Sequence, residues 1–466
     1  MSFPTIEFAA FFVVVFVLSW ALMPHPSAWR PFILAASYFF YGWIDWRWVL
    51  ILIGSSVVNT VAAQVIARSP SQTTRKRALT AAIVFDLGLL CTFKYLGFFT
   101  SEFDDALDSI DLGSPLPIAQ VVLPIGISFF TFQAISYVVD VYRGETRAAP
   151  LIEVAILQAF FPHLVAGPIV RANELLPQLR TPRDPRAVLA GPAIFLIVGG
   201  VLKKTVIADE LARRVVDPVY SDPAAHSAGE LTLAFYAFAA QIYCDFSGYT
   251  DMAIGLALLL GYQLPQNFDR PYLALSLRDF WRRWHMTLSR WLRDYLYIPL
   301  GGNRGGRLKT YRNLMVTMLL GGLWHGAAWT FVLWGGIHGA GLSAERWARE
   351  RWSGFRLPAW AAWLVTFHVV CIAWVFFRAP DLGTAFDVLG GLGLSGPSPL
   401  VTLPAVFLVV VSVAIQTLPP GWWRDAEAWF VARPVALQGV GVGAVLVLAD
   451  AAVGQQGVAP FIYFQF

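Results

Sequence analysis

The sequence predicts an all-α membrane protein that crosses the bilayer many times. Of its 466 residues, 57% are hydrophobic and only 14% are charged, whereas a soluble domain carries about 25% charged residues. Apolar runs of about 20 residues, the length of a transmembrane helix, recur along the whole chain. We therefore expect about 10–12 spanning helices, with re-entrant segments around a central cavity or tunnel.

The apolar segments follow one another without a soluble domain between them. They lie near residues 8–23, 31–43, 48–67, 78–99, 118–142, 151–170, 187–208, 230–262, 313–341, 359–379, 400–418 and 435–453. A single membrane domain is expected to fill residues 1–466. Its core would cover residues 1–434, and a C-terminal helix and tail would cover residues 435–466.

Basic residues in short loops predict the orientation, because cytoplasmic loops are enriched in Lys and Arg. The loop after the third segment contains Arg68, Arg75, Lys76 and Arg77, so it should be cytoplasmic. Three crossings precede this loop, which places the N-terminus outside the cytoplasm. The same count places the C-terminus outside as well.

Two segments disturb this alternation. If residues 151–170 and 313–341 each crossed once, the Arg-rich loops that follow them would lie outside. The conflict disappears if both segments enter the membrane and return to the same side, which is tolerated where the backbone lines a cavity. Three histidines, His163, His325 and His338, lie in these two segments. Splitting the long eighth apolar segment into two crossings would change the count.

The stretch from 263 to 312, cytoplasmic in this scheme, is predicted to contain a basic amphipathic helix. On a helical wheel, one face carries Phe280, Trp284, Leu288, Trp291 and Tyr295, and the opposite face carries Arg282, Arg283, Arg290 and Arg293. The arginines could contact lipid headgroups or attract a phosphate-bearing substrate, and the sequence leaves both open. His285 lies near the edge of the apolar face.

Two histidines are the strongest candidates for chemistry. An ionisable side chain at membrane depth is a functional-site candidate because the bilayer makes it costly, and imidazole suits general-base work near neutral pH. His325, in LLGGLWHGAAW, is predicted to be catalytic or a proton relay. His285 is either a second catalytic group or an interfacial structural residue. His163 is a candidate for lining the same cavity, whereas His338 is expected to pack.

Other polar groups at membrane depth, including Asp245 in QIYCDFSGYTDMAIG, should be paired with one another or face the cavity. No metal site is predicted, because the sequence contains neither HExxH nor HxH. No bound cofactor and no nucleic-acid partner are expected. The tail FIYFQF carries Tyr463, whose phenol could accept an acyl group if a base activates it. The alternative is an aromatic anchor at the membrane interface.

Several stretches together resemble the membrane-bound O-acyltransferase (MBOAT) family, in its bacterial branch that acetylates alginate, peptidoglycan and other polysaccharides. They are LPIGISFFTFQAISYVVDVYRG, FFPHLVAGPIVR, QIYCDFSGYTDMAIG, NFDRPYLALSLRDFWRRWHMTLSRWLRDYLYIPLGGNR, GGLWHGAAWTFVLWGGIHG and AWVFFRA. The resemblance implies that His325 is the catalytic histidine and that His285 is the second signature residue.

The resemblance also implies a function. An acetyl group, from acetyl-CoA as the donor, would cross the bacterial inner membrane. An extracytoplasmic SGNH-like acetyltransferase would then attach it to an exported polysaccharide such as alginate, cellulose or peptidoglycan. The tail resembles the end of the small partner peptide of the teichoic-acid D-alanylation system, whose terminal tyrosine is proposed to carry the acyl group. Two alternatives remain, a transporter of a solute or lipid-linked sugar, and an MBOAT enzyme with a lipid or protein acceptor.

Overall fold

The computed structural model describes residues 1, 3–108, 122–352, 354, 357–453 and 459–462. These residues form 22 α-helices joined by short turns, and no β-strand occurs among them. The prediction of an all-α membrane protein is confirmed. The described residues divide into two compact units, residues 1–188 with 257–265, and residues 189–256 with 266–466. That one membrane domain fills residues 1–466 stays a prediction.

The first unit is built around α3, which packs against α4, α6 and α7. Its helices are α1 (Ile6–Leu22), α2 (Pro26–Gly42), α3 (Trp46–Arg68), α4 (Gln72–Leu90), α5 (Leu96–Asp108), α6 (Ile127–Arg143), α7 (Leu151–Ala159), α8 (Phe161–Leu164) and α9 (Ala172–Leu179). A π-helical turn (Cys91–Tyr95) joins α4 and α5. A buried carboxylate in this unit has hydrogen-bond donors, as an apolar surrounding requires. The Asp86 carboxylate on α4 accepts from Asn59 (3.0 Å) and Ser55 (3.2 Å) on α3.

The first segment predicted to be re-entrant does not form one continuous helix. Helix α7 has only nine residues, which at 1.5 Å per residue is about 14 Å, roughly half of the bilayer core. The chain breaks at Phe160, before Pro162, and continues in the four-residue helix α8. A segment with this shape does not cross the membrane as a single helix, in agreement with the charge argument.

The second unit contains the remaining helices and both candidate catalytic histidines. They are α10 (Ala190–Leu202), α11 (Asp209–Leu211), α12 (Asp217–Ser221), α13 (Ala228–Leu259), α14 (Leu277–Arg283), α15 (Met286–Leu292), α16 (Arg307–His325), α17 (Trp329–Arg351), α18 (Ala359–Arg378), α19 (Leu382–Gly390), α20 (Leu403–Ala414), α21 (Pro420–Val431) and α22 (Val435–Val453). The last three residues of α13 belong to the first unit. The eighth apolar segment is this one 32-residue helix, so it is not split.

Helices α10, α11 and α12 are joined by π-helical turns at Lys203–Ala208 and Ala212–Val216. This run packs closely on α13 where two glycines meet. A Cβ atom on Gly200 would lie 2.5 Å from the Gly248 carbonyl oxygen, and one on Gly248 would lie 2.7 Å from the Gly200 carbonyl oxygen. The close approach brings the side chains of the first π-helical turn against α13.

The second segment predicted to be re-entrant is an antiparallel helical hairpin. Helix α16 ends at His325, three residues make the turn, and α17 begins at Trp329. The chain therefore reverses direction within the segment, as the charge argument predicts. Glycines allow the two backbones to approach each other. A Cβ on Gly322 would lie 2.2 Å from the Phe331 carbonyl oxygen, and one on Gly335 would lie 2.3 Å from the Met318 carbonyl oxygen.

Four continuous helices among the described residues are long and apolar enough to cross a membrane, at Trp46–Arg68, Gln72–Thr100, Ala190–Ser221 and Ala359–Arg378. The bent pair Leu403–Thr417 and Gly421–Val431 would make five. This is fewer than the ten to twelve spans expected, because other apolar segments form shorter, broken or bent helices or, like the long helix α13, contain more polar residues. Helices α1 and α22 are apolar but shorter.

The single amphipathic helix expected around residues 280–295 is corrected by the structure. It is two short helices, α14 and α15, with a break at Trp284 and His285. His285 has left-handed backbone angles (φ 40°, ψ 56°), which are uncommon outside glycine and do not continue a helix. Most of the predicted apolar face is nevertheless buried, including Phe280, Trp284 and Leu288.

Candidate active site

His285 lies at the break between α14 and α15 and is completely buried. Its Nδ1 atom is 3.1 Å from the Asn267 Oδ1 atom. The same oxygen accepts from the backbone N–H of Thr287 (3.2 Å) and from the Thr287 hydroxyl (2.9 Å). A backbone N–H can only donate, so the Asn267 atom at this point is its oxygen. His285 Nδ1 must then donate, and the basic nitrogen of the neutral ring is Nε2.

The surroundings of His285 keep its ring neutral. Burial lowers the pKa of His285 to about 3, because the charged imidazolium loses its solvation. The Phe246 ring packs against the imidazole in a T-shaped arrangement, with ring centroids 4.7 Å apart and planes at 86°. A neutral imidazole with a defined tautomer and a fixed ring is suited to accept a proton or to orient a polar group at Nε2.

His325 is the last residue of α16 and lies in a box of aromatic rings. Trp324 (4.9 Å between ring centroids), Trp334 (4.9 Å) and Phe377 (5.1 Å) surround the imidazole, each at a steep angle to its plane. His325 is 4% exposed. The box comes from three helices, α16, α17 and α18, and the tight α16–α17 hairpin places Trp334 opposite His325. The rings hold the imidazole in one orientation and limit the access of water.

The two histidines belong to one aromatic cluster. The Trp324 ring lies 6.1 Å from the His285 ring and 4.9 Å from the His325 ring. The indole therefore packs between the two imidazoles. The structure brings together the residue pair that the sequence analysis selected from positions 40 apart.

His338 lies beyond Trp334, with ring centroids 4.9 Å apart. The Trp281 indole N–H donates to His338 Nδ1 at 3.2 Å. Phe280 stacks on the same imidazole at 6.0 Å, with planes at 7°. The lone pair of Nδ1 is thus used in a structural contact, which agrees with the packing role expected for His338.

Asp245 on α13 lies in a buried ion cluster with two partners that the sequence analysis did not select. Lys204 Nζ is 2.5 Å from Asp245 Oδ1 and 2.9 Å from Asp209 Oδ1. All three residues are no more than 2% exposed. We call Asp209, Lys204 and Asp245 the ion cluster below. The expectation that intramembrane polar groups are paired holds here.

The C-terminal tail enters the same region. Tyr463 lies outside the described residues, but the four residues before it are described. The Ile462 backbone N–H donates to Asp245 Oδ2 at 2.8 Å. The Phe461 ring packs on Phe246 (5.6 Å) and Tyr249 (4.8 Å). Since Phe246 also contacts His285, one line of aromatic rings runs from the tail to both histidines.

The three arginines named as donor-binding candidates differ in their environments. Arg282 is exposed and Arg290 is half-buried. Arg283 donates from Nε to the Asp279 carboxylate at 3.0 Å, so part of its charge is used within α14. That these arginines bind a donor stays a prediction.

His163 belongs to the first unit, where it is buried on α8. Its Nδ1 atom is 3.1 Å from Gln133 Nε2, and the Phe160 ring packs on it at 5.7 Å. A Cβ on Gly167 would lie 2.4 Å from the His163 Cα atom, so the chain folds tightly back over the histidine. These contacts support a local structural role, and a part in lining the cavity stays a prediction.

Lys204, Asp209 and Asn267 are site residues that are not predicted from the sequence. A signal existed for the first, since Lys203 and Lys204 are adjacent charges inside an apolar segment, where an ionisable residue is a functional candidate. Nothing in the sequence indicates a role for Asn267, because asparagine is common in polar loops. Its role depends on a contact between residues 18 positions apart.

The fold and the site define a membrane-embedded helical protein with two buried histidines in one aromatic cluster. The chain belongs to the MBOAT, membrane-bound O-acyltransferase, family, whose model matches residues 148–379. The chain is therefore an acyltransferase. Transport of a solute or of a lipid-linked sugar, the alternative that the sequence left open, is not the activity of this family. Both histidines and the whole ion cluster lie within the matched residues, whereas the tail lies outside them.

Similar proteins cover most of the chain. It is 39% identical over 412 residues to the probable alginate O-acetylase AlgI of Azotobacter vinelandii, across 84% of this chain and 78% of that protein. It is 38% identical over 465 residues to the probable alginate O-acetylase of Pseudomonas putida, across 93% and 94%. It is 37% identical over 419 residues to the peptidoglycan O-acetyltransferase of Helicobacter pylori, across 83% and 78%.

Proposed function

We propose that this protein moves an acetyl group from a cytoplasmic donor, acetyl-CoA, across the membrane for O-acetylation of an exported polysaccharide. The names of its relatives support this acceptor class, because they act on alginate and peptidoglycan. The observation that carries the proposal is the pairing of His285 and His325 through Trp324 in one buried cluster. An alginate-, cellulose- or peptidoglycan-like polymer is the proposed acceptor.

In the proposed reaction, a hydroxyl oxygen attacks the thioester carbonyl of the donor. His325 takes the hydroxyl proton as general base, the new C–O bond forms, and the C–S bond breaks. The proton then leaves with the CoA thiolate as the free thiol. His285, with Nδ1 held by Asn267, presents Nε2 and orients the donor or relays the proton. Arg282 and Arg290 are proposed to attract the phosphates of the donor.

The acyl group is proposed to leave the protein through its tail. Tyr463 supplies the attacking phenol, and an extracytoplasmic SGNH-like acetyltransferase takes the acetyl group from it. The support is the anchoring of Phe461 beside Phe246, which itself contacts His285. Attack within a closed site would gain rate from the fixed positions of the reactants.

Substitution of His325 by alanine tests the general base. We expect His325→Ala to lower O-acetylation of the polysaccharide by at least about 100-fold, because general-base catalysis contributes about 10²–10⁴-fold. Ester content of the exported polymer is measured at equal protein level in the membrane. The control is His25→Ala, at an exposed helix start, which should leave acetylation unchanged. Wild-type acetylation in His325→Ala would overturn the assignment.

Substitution of Tyr463 by phenylalanine tests the acyl carrier. Tyr463→Phe keeps the aromatic ring and removes only the hydroxyl that would form the ester. We expect acetylation of the polymer to be lost, and we expect mass spectrometry of the wild-type tail to show an acetyl group on Tyr463 during turnover. Full activity of Tyr463→Phe would reject the carrier role and leave the acyltransferase assignment intact.

A further inference from the structure

The ion cluster carries an unbalanced charge. Asp209 and Asp245 contribute two negative charges, and Lys204 contributes one positive charge. Since all three side chains are buried, the remaining negative charge needs further hydrogen-bond donors, because a buried charge without them is strongly disfavoured. The missing donors come from the backbone of the C-terminal tail.

Three backbone groups of the tail meet the three charged side chains. Ala459 N–H donates to Asp209 Oδ2 at 3.3 Å, and Ile462 N–H donates to Asp245 Oδ2 at 2.8 Å. Lys204 Nζ donates to the Pro460 carbonyl oxygen at 3.4 Å. Pro460 has no N–H of its own, so its carbonyl is the group it offers, and it meets the only cation of the cluster.

One side chain of the tail has a matching pocket. Phe461 is 1% exposed and packs between Phe246 and Tyr249, which lie one helical turn apart on α13. Asp245 lies directly before Phe246 on the same helix. Backbone recognition and side-chain recognition therefore come from one turn of α13, with Lys204 and Asp209 facing it from the π-helical turn and α11.

We propose that Asp209, Lys204 and Asp245 form a peptide-binding seat that holds residues 459–462 of the C-terminal tail by their main chain, next to the Phe246 ring that also contacts His285. The ligand class is a short peptide segment with an aromatic residue after a proline. The seat goes beyond the proposed function, since it assigns a binding role to residues that take no part in the acyl transfer itself.

The adjacent ion pair provides a comparison within the protein. Lys203, one residue before Lys204, pairs with Asp251 on α13 and contacts Ser247. This pair balances its own charge, and both side chains are partly exposed. Among the described residues, Lys203 donates to Asp251 and Ser247 and not to the tail. The Lys203–Asp251 pair therefore links the first π-helical turn to α13, as the ion cluster does, but it does not bind the described part of the tail.

Hydrogen exchange of the full-length protein in detergent tests the seat. In the wild type, the amides of Ala459 and Ile462 should exchange slowly because they donate to buried carboxylates. In Asp245→Leu the acceptor of Ile462 is removed while Lys204 and Asp209 remain as a neutral pair. We expect the Ile462 amide to exchange at least about tenfold faster. The matched control, Asp251→Leu, should keep the slow exchange.

A second variant leaves the cluster untouched. Phe461→Ala empties the aromatic pocket, so the tail should lose protection at both amides, and Phe461→Leu should restore part of it. Amides of α13 are measured in the same experiment and must stay protected, which shows that the unit is folded. Equal protection of the tail in the wild type, Asp245→Leu and Phe461→Ala would overturn the seat.

The same variants separate the seat from the proposed function. If the tail carries the acetyl group, loss of its protection in Asp245→Leu should be accompanied by loss of polysaccharide acetylation. Loss of protection with full acetylation would support the seat and reject the carrier role of Tyr463. Retained protection would reject the seat, whatever the activity.

Discussion

At the scale of single residues, His285 shows how a strained backbone and a hydrogen bond fix the orientation of a buried imidazole. The residue has left-handed backbone angles (φ 40°), which only small polar residues and glycine adopt readily. The conformation ends α14 and allows α15 to begin at the next residue. It also turns the imidazole toward Asn267, whose oxygen accepts from it. The geometry of the candidate site therefore depends on a break between two helices.

Replacing Asn267 by aspartate should make the activity sensitive to acid. In the wild type, burial lowers the pKa of His285 to about 3, so the ring stays neutral as the pH falls from 8 to about 5. A carboxylate at 3.1 Å from Nδ1 would stabilise the imidazolium and raise the pKa of His285. The variant should then lose activity as the pH falls through the raised pKa, which a pH–rate profile measures.

Asn267→Asp keeps the acceptor for both Thr287 groups, so a general loss of structure is not expected. The matched comparison is Asn267→Ala, which removes the acceptor without adding charge. Asn267→Ala should lower the rate at every pH, without an additional loss of activity at low pH. Identical pH–rate profiles for the wild type and Asn267→Asp would show that the charge state of His285 does not govern the rate.

At the scale of secondary-structure elements, the α16–α17 hairpin depends on glycines at one face. Gly335 lies against the Met318 carbonyl, with only 2.3 Å available for a Cβ atom. Gly336, the next residue, has no atom closer than the Leu319 Cδ2 atom at 3.8 Å. The two residues are adjacent and of the same type, but the space around them differs. This difference cannot be seen in the motif WGGIHG.

Alanine at these two positions should therefore have opposite effects. Gly335→Ala should push the hairpin apart and destabilise the protein by about 1–3 kcal/mol, the usual cost of overpacking. Acetylation should fall as well, since Trp334 would be displaced away from the His325 ring. Gly336→Ala should leave activity unchanged and stabilise α17 by up to about 1 kcal/mol. Thermal unfolding in detergent and polymer ester content measure both effects, and equal behaviour of the two variants would count against the packing argument.

At the scale of the whole molecule, the proposed reaction has a direction across the membrane. Acetyl-CoA does not cross a bilayer, so the side from which it is accepted can be tested directly. Inverted membrane vesicles expose the cytoplasmic face and should incorporate labelled acetyl groups from added acetyl-CoA. Right-side-out vesicles should not, until a mild detergent opens them. Equal labelling of both sealed preparations would contradict transfer from a cytoplasmic donor.

The sequence alone determined the class of fold, because repeated apolar runs with few charges form transmembrane helices in a bilayer. It also singled out His285 and His325 as candidates, since an ionisable group in a membrane protein is costly unless it has a role. The reversal of the chain near His325 followed from the distribution of arginines. These conclusions depend only on composition, spacing and charge, which are properties of the chain before it folds.

Only the tertiary structure decided which groups meet. Asn267 holds His285, Trp324 lies between the two imidazoles, and the ion cluster holds the tail across more than 200 positions of sequence. Apolar periodicity predicts which face of a helix is buried, but it does not predict the element against which that face packs. The expected helix over residues 280–295 kept its buried face and still broke at His285, because long-range contacts outweighed local periodicity. Such contacts between distant parts of the chain leave no mark in a single sequence.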